Sequence, residues 1–277
     1  QQGVVVGDSP FSVSAWVNVP AGEQGTIIGK YNANVESEWL FWVDNGQVRV
    51  NLYDFNLGNT QNRIRCQTNQ VGGALTPDTW HHVVMVYDGL GIQGAGGVDT
   101  GITIFVDGQQ PAQFCDGQNY GFMALTNSQL IIGSTENGTL DFQTKIADIV
   151  IFNKEIDATA VQGLYNGGKV WDISNFYEYD SVVSWWKMGD GDTAPIIRDS
   201  VGDNDGTLSG DASIVEDNTL PSDDIFSGRL GWFTSLVSSQ TSGLGQSYNP
   251  DDSQVTNREF IYSAKYRNPG IIGSEDL

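Results

Sequence analysis

The stretch FSVSAWVN, at residues 11–18, carries the pattern that decides the fold. Every second residue from its start is apolar or small, and the pattern continues one step beyond it: Phe11, Val13, Ala15, Val17 and Val19. Alternation with this period places those side chains on one face of a β-strand. The stretch therefore predicts a strand with one face in a core, ended by the turn residues Pro20-Ala21-Gly22.

Further strands follow at short intervals, with turn residues between them. Glu38 to Val43 and Gln47 to Tyr53 flank Asp44-Asn45-Gly46, which predicts a hairpin with Asn-Gly at its centre. The other predicted strands are 11–19, 25–31, 63–68, 79–87, 102–106, 129–132 and 145–152. Strands in such succession, without helices between them, predict an antiparallel sandwich rather than an α/β fold.

One short helix is predicted after the last of these strands. Asp157 can cap its start, and Asn166-Gly167-Gly168 ends it. Helical spacing is carried by Ala160, Val161 and Leu164. The fold class predicted for the chain is all-β: an antiparallel two-sheet jelly-roll sandwich with one short helix and an extended C-terminal arm.

The chain divides into three parts. Residues 1–170 hold the predicted sandwich, and residues 171–220 hold additional strands that complete or extend it. Residues 221–277 are rich in Ser, Asn, Asp and Gly, with scattered aromatic residues. Such a composition predicts an extended arm for assembly, ordered by a partner.

Composition and charge exclude some partners. The 277 residues include 34 acidic and 13 basic ones, for a formal net charge of −21. A surface of this sign repels polyanions, so we expect no nucleic acid partner, while a well-solvated surface and cation binding both stay open. No run approaches the roughly 20 apolar residues of a membrane span, so no span is predicted.

Two cysteines, Cys66 and Cys115, are too few for a disulfide framework. They can form one bridge or stay as buried thiols, and the sequence leaves both alternatives open. The chain begins at Gln1 and not at Met, which we interpret as a processed or incomplete start. This favours a matured protein of the virion surface or the extracellular space.

Six motifs occur in a set order: FSVSAWVN (11–18), GTIIGK (25–30), WHHVVMVYDG (80–89), ITIFVDGQ (102–109), LIIGS (130–134) and KIADIVIFNKEIDATAVQGLYNGG (145–168). Together they resemble the laminin G-like, pentraxin-like jelly roll of the concanavalin A-like lectin/glucanase superfamily. The resemblance covers residues 3–170. It implies the same two-sheet sandwich that the alternation predicts.

A later segment, SWWKMGDGD (184–192) followed by RDSVGDNDGTL (198–208), also resembles this family. Many members carry a similar segment before the FSVSAWV strand, whereas here it follows the domain. The segment can supply a missing edge strand or begin a second, incomplete module. A jelly roll followed by such a segment is similar in layout to structural proteins of marine tailed phages, an argument by analogy.

Catalysis is not expected. Glycoside hydrolases of this fold carry an E-x-D-x-x-E strand, and the near match here starts at Glu155 but has Ala160 in place of the last carboxylate. The acid/base partner is therefore missing, and Asp157 is a natural helix cap. The adjacent His81 and His82 point to opposite sides of a strand, so they cannot share one metal ion.

A calcium ion is the cofactor that the resemblance implies. Many relatives hold Ca²⁺ near the rim with one acidic residue close to the first strand and others on the last sandwich strand. The matching positions are Asp8 and Asp148, with Ala147 where a second adjacent acid is usual. Hard cations take such oxygen ligands.

A saccharide platform is the second predicted site. Aromatic faces can stack on sugar rings while amides bind hydroxyl groups. The residues predicted for it are Trp39, Trp42, Tyr53, Asn56 and Tyr120. The alternative is that aromatic residues of this kind belong to the core, as we expect for Trp16, Phe41 and Trp80.

Two functions follow from these patterns. The first is a non-enzymatic virion or extracellular structural or adhesion protein, such as a phage capsid decoration, fibre or tail-associated component. Its C-terminal arm docks on other virion or surface-layer subunits, as a homo-oligomer or within a large assembly, and its predicted interface anchors are Trp185, Trp186, Trp232 and Phe233. The alternative is a free, calcium-assisted, lectin-like module that binds host glycans.

Overall fold

The computed structural model describes most of the chain up to residue 221, and one later strand. The described residues are 9–32, 36–54, 62–92, 100–136, 138, 140, 143–188, 192–217, 219–221 and 231–234. Their strands are, in chain order, β1 (Phe11–Asn18), β2 (Gln24–Asn32), β3 (Glu36–Asp44), β4 (Gln47–Tyr53), β5 (Arg63–Thr68), β6 (Trp80–Tyr87), β7 (Ile102–Val106), β8 (Gln113–Gln118), β9 (Leu130–Ile132), β10 (Lys145–Phe152), β11 (Val182–Trp186), β12 (Ile196–Ile197), β13 (Gly206–Thr207), β14 (Val215–Glu216) and β15 (Gly231–Thr234).

Most of these strands form two antiparallel sheets. Sheet A has the order β14-β15-β10-β1-β6-β7, and β11 also pairs with β10. Sheet B has the order β8-β5-β4-β3-β2-β9, and β12 and β13 form a separate pair. The predicted antiparallel two-sheet sandwich is confirmed.

The main core lies between the two sheets. The apolar residues that alternate along β1 are all buried there: Phe11, Val13, Ala15 and Val17. Sheet B contributes its own alternating residues, among them Phe41, Val50 and Ile64. The period of two in the sequence thus identifies the side of each strand that faces the core.

The hairpin between β3 and β4 has the predicted turn. Asp44 pairs with Gln47, so the loop has two residues, Asn45 and Gly46. Both have positive φ angles, 49° and 76°. A two-residue loop of this conformation matches the twist of the flanking strands and is favoured by Asn-Gly.

The predicted helix is α2 (Ala158–Tyr165), and it packs outside sheet A. The Asp157 carboxylate accepts a hydrogen bond from the Ala160 N–H at 2.8 Å, and Asn166 ends the helix in the left-handed conformation. In the described part of the chain, the other helical elements are the single irregular turn α1 (Gln70–Gly73) and two 3-10 turns, Ile173–Asn175 and Tyr179–Ser181. Within the described residues no helix is long and apolar enough to cross a membrane.

Strand β11 extends sheet A along the outer edge of β10. Ile149 to Phe152 of β10 pair with β11, and Lys145 and Ile146 pair with β15. The two later strands therefore lie one after the other along the same edge. The C-terminal part of the described chain contributes to the same sheet as the first strand.

Cys66 and Cys115 form a disulfide bond. The two residues face each other directly on β5 and β8, which is the edge of sheet B. Of the two alternatives that the sequence left open, the structure has the bridge. It closes a loop across a sequence separation of 49 residues.

Candidate functional site

The outward side of sheet B, called the sheet B face from here on, consists of outward side chains of β3, β4, β5 and β8. Their direction follows from alternation, because the intervening residues point into the core. The pairing register arranges them in three rows across the strands. The first row is Trp42, Arg49, Gln67 and Phe114, the second is Leu40, Asn51, Arg65 and Asp116, and the third is Tyr53 and Arg63.

The first row joins an aromatic ring to a cation. The Arg49 guanidinium lies 5.0 Å from the centre of the Trp42 ring, and its Nη2 lies 2.8 Å from Asp44 Oδ2. Stacking and ion pairing together hold the guanidinium in one orientation. Two buried donors of this row, Trp42 Nε1 and Arg49 Nε, have no acceptor among the residues that the structure describes.

The second row is fixed by a charge-assisted contact. Arg65 donates from Nε at 2.8 Å and from Nη2 at 2.7 Å to the same Asp116 oxygen. Asn51 donates from its amide nitrogen to Tyr53 Oη at 2.8 Å, which links the second row to the third. Polar groups held in this way are positioned before any ligand arrives.

The third row places a cation beside two phenols. The rings of Tyr31 and Tyr53 lie 5.2 Å apart. Burial raises the pKa of both phenols above the ordinary value, and the positive charge of Arg63 acts in the opposite direction. Both hydroxyl groups therefore stay protonated at neutral pH and can donate as well as accept hydrogen bonds.

The two broad faces of the sandwich differ in their cover. On the outward side of sheet A, residues of α2 and of the 171–182 segment bury Val84, Val150 and Phe152. On the sheet B face the Arg65 side chain is 41% exposed and Phe114 is 54% exposed. These half-exposed groups lie on β5 and β8, whereas Leu40, Asn51 and Tyr53 of β3 and β4 are buried, so the part of the face that can receive a ligand lies over β5, β8 and the half-buried Trp42.

Two buried carboxylates hold a loop against the end of this face. Glu38 Oε1 accepts hydrogen bonds from Lys30 Nζ and from the Thr126 N–H, the latter at 2.7 Å. Asp54 Oδ2 accepts from the Gly121 N–H at 3.0 Å. The segment 121–126 is therefore anchored beside the third row by side chains of sheet B.

The histidines belong to the framework of sheet A. His82 lies on the outward side, where its Nε2 is 2.7 Å from Ser14 Oγ and its ring stacks with Tyr165. His81 lies on the other side, with Nδ1 2.7 Å from Asp107 Oδ2. Burial lowers the pKa of His82 to about 4, so its ring is neutral at neutral pH.

Only one of the two predicted calcium ligands, Asp148, lies within the described residues. Asp8 lies outside the described residues, and the buried Asp148 accepts a hydrogen bond at 2.8 Å from Trp185 Nε1. Burial raises the pKa of Asp148 to about 7, and the positive charge of Lys187 partly opposes that rise. One oxygen of the Asp148 carboxylate is therefore engaged by an indole N–H, and an ammonium group lies nearby.

No cluster in the described residues brings together three His, Cys, Asp or Glu side chains that could hold a metal ion. In the described part of the chain, Asp148 holds Trp185. The full site, which needs Asp8, stays a prediction.

The predicted saccharide platform is only partly brought together. Trp42 and Tyr53 lie on the sheet B face. Trp39 and Tyr120 instead belong to the interior core, where the Trp39 ring packs 5.5 Å from that of Phe11. Trp39 and Tyr120 are therefore core residues and not part of a saccharide platform. Trp39 is in the core because it lies on the inward side of β3, as Phe41 does. Asn56 lies outside the described residues.

The four predicted assembly anchors lie on two different strands, β11 and β15. Trp185 and Trp186 are fully buried within their own chain, so the prediction that they anchor neighbouring subunits is corrected. They lie on opposite sides of β11: Trp186 enters the core between the sheets, and Trp185 packs under the α2 side. Trp232 and Phe233 lie on β15, where Phe233 pairs with Ile146.

Several residues of the sheet B face were missed by the sequence reasoning, namely Arg49, Arg63, Arg65, Gln67 and Phe114. A signal for them was present. The arginines at 63 and 65 alternate with Ile64 and Cys66, which is the pattern of a strand with a polar outward face. Arg49 occupies the same kind of position between Val48 and Val50.

The hydrolase-like segment has a structural role. Asp157, the central acid of the near match to the hydrolase motif, caps α2 through the Ala160 N–H. The carboxylate pair that glycoside hydrolysis needs is therefore not formed by this segment.

The fold and the sheet B face define the class of this protein as a concanavalin A-like sandwich. The Laminin_G_3 family model, described as the concanavalin A-like lectin/glucanases superfamily, matches residues 2–162. The chain belongs to this family. No curated protein matches the chain closely enough to count as a relative.

Solved structures with the same kind of fold are distant. One is described as a candidate carbohydrate-binding protein from Bacteroides ovatus, with 17% identity, a TM-score of 0.49, and coverage of 75% of this chain and 54% of that one. A heptameric pentraxin from Limulus polyphemus has 10% identity, a TM-score of 0.40, and coverage of 57% and 70%.

The binding domain of botulinum neurotoxin serotype G has 15% identity, a TM-score of 0.43, and coverage of 84% of this chain and 60% of that one. The chain thus spans about half the length of the first of these structures.

Proposed function

We propose that this protein binds saccharides on the sheet B face and catalyses no reaction. The observation that carries the proposal is the first row, where the half-buried Trp42 ring is flanked by an oriented guanidinium and by Gln67. An aromatic surface beside a few fixed polar groups is the usual construction of a site for a small polar ligand. Membership of a lectin/glucanase superfamily supports the same class of ligand.

The test is a saccharide array followed by calorimetry on the ligands that bind. Trp42→Ala is expected to lower the affinity by at least about tenfold, because truncating a central aromatic contact removes its packing area. Tyr177→Ala is the matched control, since Tyr177 is an exposed aromatic residue on the α2 side of the molecule. Absence of any saccharide ligand, or equal loss in the two variants, would exclude the proposal.

Calcium assistance is part of the proposal and is tested by the same array. Asp8 and Asp148 are the predicted ligands, and the array is run with and without a chelator. Dependence on calcium that disappears in Asp8→Asn supports the ion. Binding that is unchanged by the chelator removes calcium from the proposal and leaves saccharide binding intact.

We also propose an assembly role for residues 222–277, as in a virion or extracellular structural or adhesion protein. The pairing of β15 with β10 favours it, because a tail strand that adds to a sheet edge within one chain can do so between chains. The Cys66–Cys115 disulfide supports an oxidising location outside the cell. A chain ending at residue 221 is expected to stay folded and to lose higher-order assembly in ultracentrifugation. Unchanged assembly of that shorter chain would contradict the role.

A further inference from the structure

Phe114 is the most exposed of the aromatic side chains on the sheet B face. It is 54% exposed, whereas Trp42 is half-buried and Tyr53 is buried. It lies on the edge strand β8, where it is directly opposite Gln67 of β5. A single exposed ring is ordinary on a protein surface, so its neighbours decide whether it belongs to a binding site.

Strand β8 is tied to the rest of the sandwich on both sides of Phe114. Gln113 donates from Nε2 to the Ile102 carbonyl of β7 at 2.7 Å, which connects β8 to sheet A. Cys115 forms the disulfide with Cys66 of β5. Because both flanking side chains point inward, alternation directs Phe114 outward. The ring is therefore presented by a fixed backbone, which lowers the entropy lost when a ligand binds.

Polar side chains with fixed positions surround Phe114 on the same face. Gln67 is directly opposite, and Arg65 is the diagonal neighbour at about 7–8 Å. Asp116 is two positions along β8, at about 7 Å. Arg65 donates to Asp116 Oδ2 from Nε at 2.8 Å and from Nη2 at 2.7 Å, and the two side chains are 41% and 39% exposed. The pair is thus both oriented and accessible.

This set of polar groups matches the chemistry of sugar hydroxyls. A hydroxyl group donates one hydrogen bond and accepts others. The Arg65 guanidinium supplies donors, the Asp116 carboxylate supplies acceptors, and the Gln67 amide supplies both. Neighbouring hydroxyls of one sugar can therefore bind the ion pair without separating its charges.

The charges of this part of the face favour an uncharged ligand. Arg49 is paired with Asp44, and Arg65 is paired with Asp116, so each guanidinium has a carboxylate beside it. The chain as a whole carries a net charge of −21. An anionic ligand would compete with these carboxylates and be repelled by the chain, and a neutral ligand avoids both effects.

The first row fixes the length of the ligand. It runs from Trp42 through Arg49 and Gln67 to Phe114, each residue directly opposite the next. Neighbouring strands are about 4.8 Å apart, so the two aromatic residues are separated by about 14 Å. One sugar ring cannot contact both of them. A linear oligosaccharide that lies across the strands can, with its middle part over Arg49 and Gln67.

We propose that Phe114 is the second aromatic contact of the saccharide site. The ligand is an uncharged trisaccharide or longer chain that crosses the strands from Trp42 to Phe114, and its hydroxyl groups bind Gln67, Arg65 and Asp116. This inference rests on the proposed saccharide-binding function. It names the ligand class and a further binding residue.

The experiment measures affinity against the length of neutral saccharides. Calorimetry with the full chain uses cello-, manno- and chito-oligosaccharides from mono- to tetrasaccharide. For the series that binds, the affinity is expected to rise at least about tenfold from the mono- to the trisaccharide, because the longer ligand adds the contact with Phe114. Oligogalacturonate and its methyl ester test the charge of the ligand, and the ester is expected to bind more tightly.

Two variants of equal size test the aromatic contact. Phe114→Ala is expected to lower the affinity for the trisaccharide by about tenfold, because it removes the packing area of one terminal ring. Phe122→Ala is the matched control, since Phe122 is 52% exposed and lies in the 121–126 segment. It is expected to leave the affinity unchanged. The unfolding temperature of each variant shows whether it is folded.

The results that overturn the inference differ from failure of the proposed function. Equal effects of Phe114→Ala and Phe122→Ala, with Trp42→Ala still weakening binding, contradict the role of Phe114 and leave saccharide binding in place. An affinity that does not depend on ligand length, or tighter binding of oligogalacturonate than of its ester, contradicts the ligand class in the same way. No binding of any saccharide probe contradicts both proposals.

Discussion

His82 is a neutral ring enclosed by aromatic residues on the outward side of sheet A. Its ring centre lies 5.3 Å from that of Trp16 and 6.0 Å from that of Tyr165. Burial removes the water that would stabilise a charged imidazolium, and the negative charge of Asp107 offsets this effect only in part. The Nε2 atom is used by Ser14, so the residue has a packing role and a hydrogen-bonding role.

The first prediction concerns the pH dependence of stability. The pKa of His82 is about 4 in the folded chain and 6.5 in its ordinary state. Between these values the unfolded chain binds a proton at His82 that the folded chain does not, so His82 contributes a loss of stability as the pH falls from about 6.5 to about 4, whereas the raised pKa of Asp148 acts in the opposite direction. The loss is on the order of 3 kcal/mol.

Urea unfolding at a series of pH values measures this loss. As the pH falls over that range, the free energy of unfolding of His82→Gln is expected to rise relative to that of the parent protein, even if its value at pH 7 is lower. An identical slope in the variant and the parent protein would assign the acid sensitivity to other groups.

Side-chain direction could be predicted from the sequence for some of the site residues. Trp39 and Trp42 are three positions apart on β3, so alternation alone requires them to lie on opposite sides. With Phe41 in the core, Trp39 must point inward and Trp42 outward. The direction of Tyr120 could not be obtained in this way, because it follows β8 in a non-repetitive segment whose path depends on tertiary contacts.

Strand β11 is the element that joins the later part of the chain to the sandwich. Trp186 donates from its indole nitrogen to the Asn204 carbonyl at 2.9 Å, and Trp185 donates to Asp148. Adjacent residues of a strand are both buried here because β11 has a core on each side. The sequence shows two adjacent tryptophans, but only the pairing of β11 with β10 shows that both are enclosed.

The second prediction tests the contribution of this strand. Trp186→Ala is expected to lower the free energy of unfolding by about 3–5 kcal/mol, because it leaves a large cavity between the sheets. Tyr177→Ala, at an exposed aromatic position, is the control and is expected to change it by less than about 0.5 kcal/mol. Thermal unfolding of both variants makes the comparison, and similar stability would show that β11 does not seal the core.

The third prediction concerns the edge of sheet B. The disulfide between β5 and β8 joins positions 49 residues apart, and closing a loop of this length restricts the unfolded chain by about 4 kcal/mol. Reduction is therefore expected to lower the unfolding temperature. The double variant Cys66→Ser/Cys115→Ser serves as the control and should no longer respond to reductant. An unchanged unfolding temperature on reduction of the parent protein would contradict the expected contribution.

At the scale of the whole molecule, the two sheets have different surroundings. The outward side of sheet A is covered by α2 and by the segment after it. The outward side of sheet B carries ordered rows of aromatic and polar side chains. The fold class and the family could be predicted from ordered motifs and alternation. The difference in cover could not, because it depends on where residues 171–186 pack after the sheets have formed.

The whole-molecule charge distribution also acquires a meaning from the fold. From the sequence alone, the net charge of −21 indicates either a well-solvated surface or cation binding. Once the strands are placed, three arginines from separate positions of the sequence meet on one face. A single count of charges cannot reveal this, because the clustering arises from strand pairing and not from sequence proximity.

The measurement that tests the central claim most directly is a titration with the tightest ligand of the saccharide array, followed in a proton–nitrogen correlation spectrum of the full chain. The indole N–H of Trp42, assigned with Trp42→Phe, and the backbone amides of β4 and β5 are expected to shift together and to saturate. Shifts confined to residues of α2 or of the 119–128 segment, with Trp42 and β5 unaffected, would contradict saccharide binding on the sheet B face.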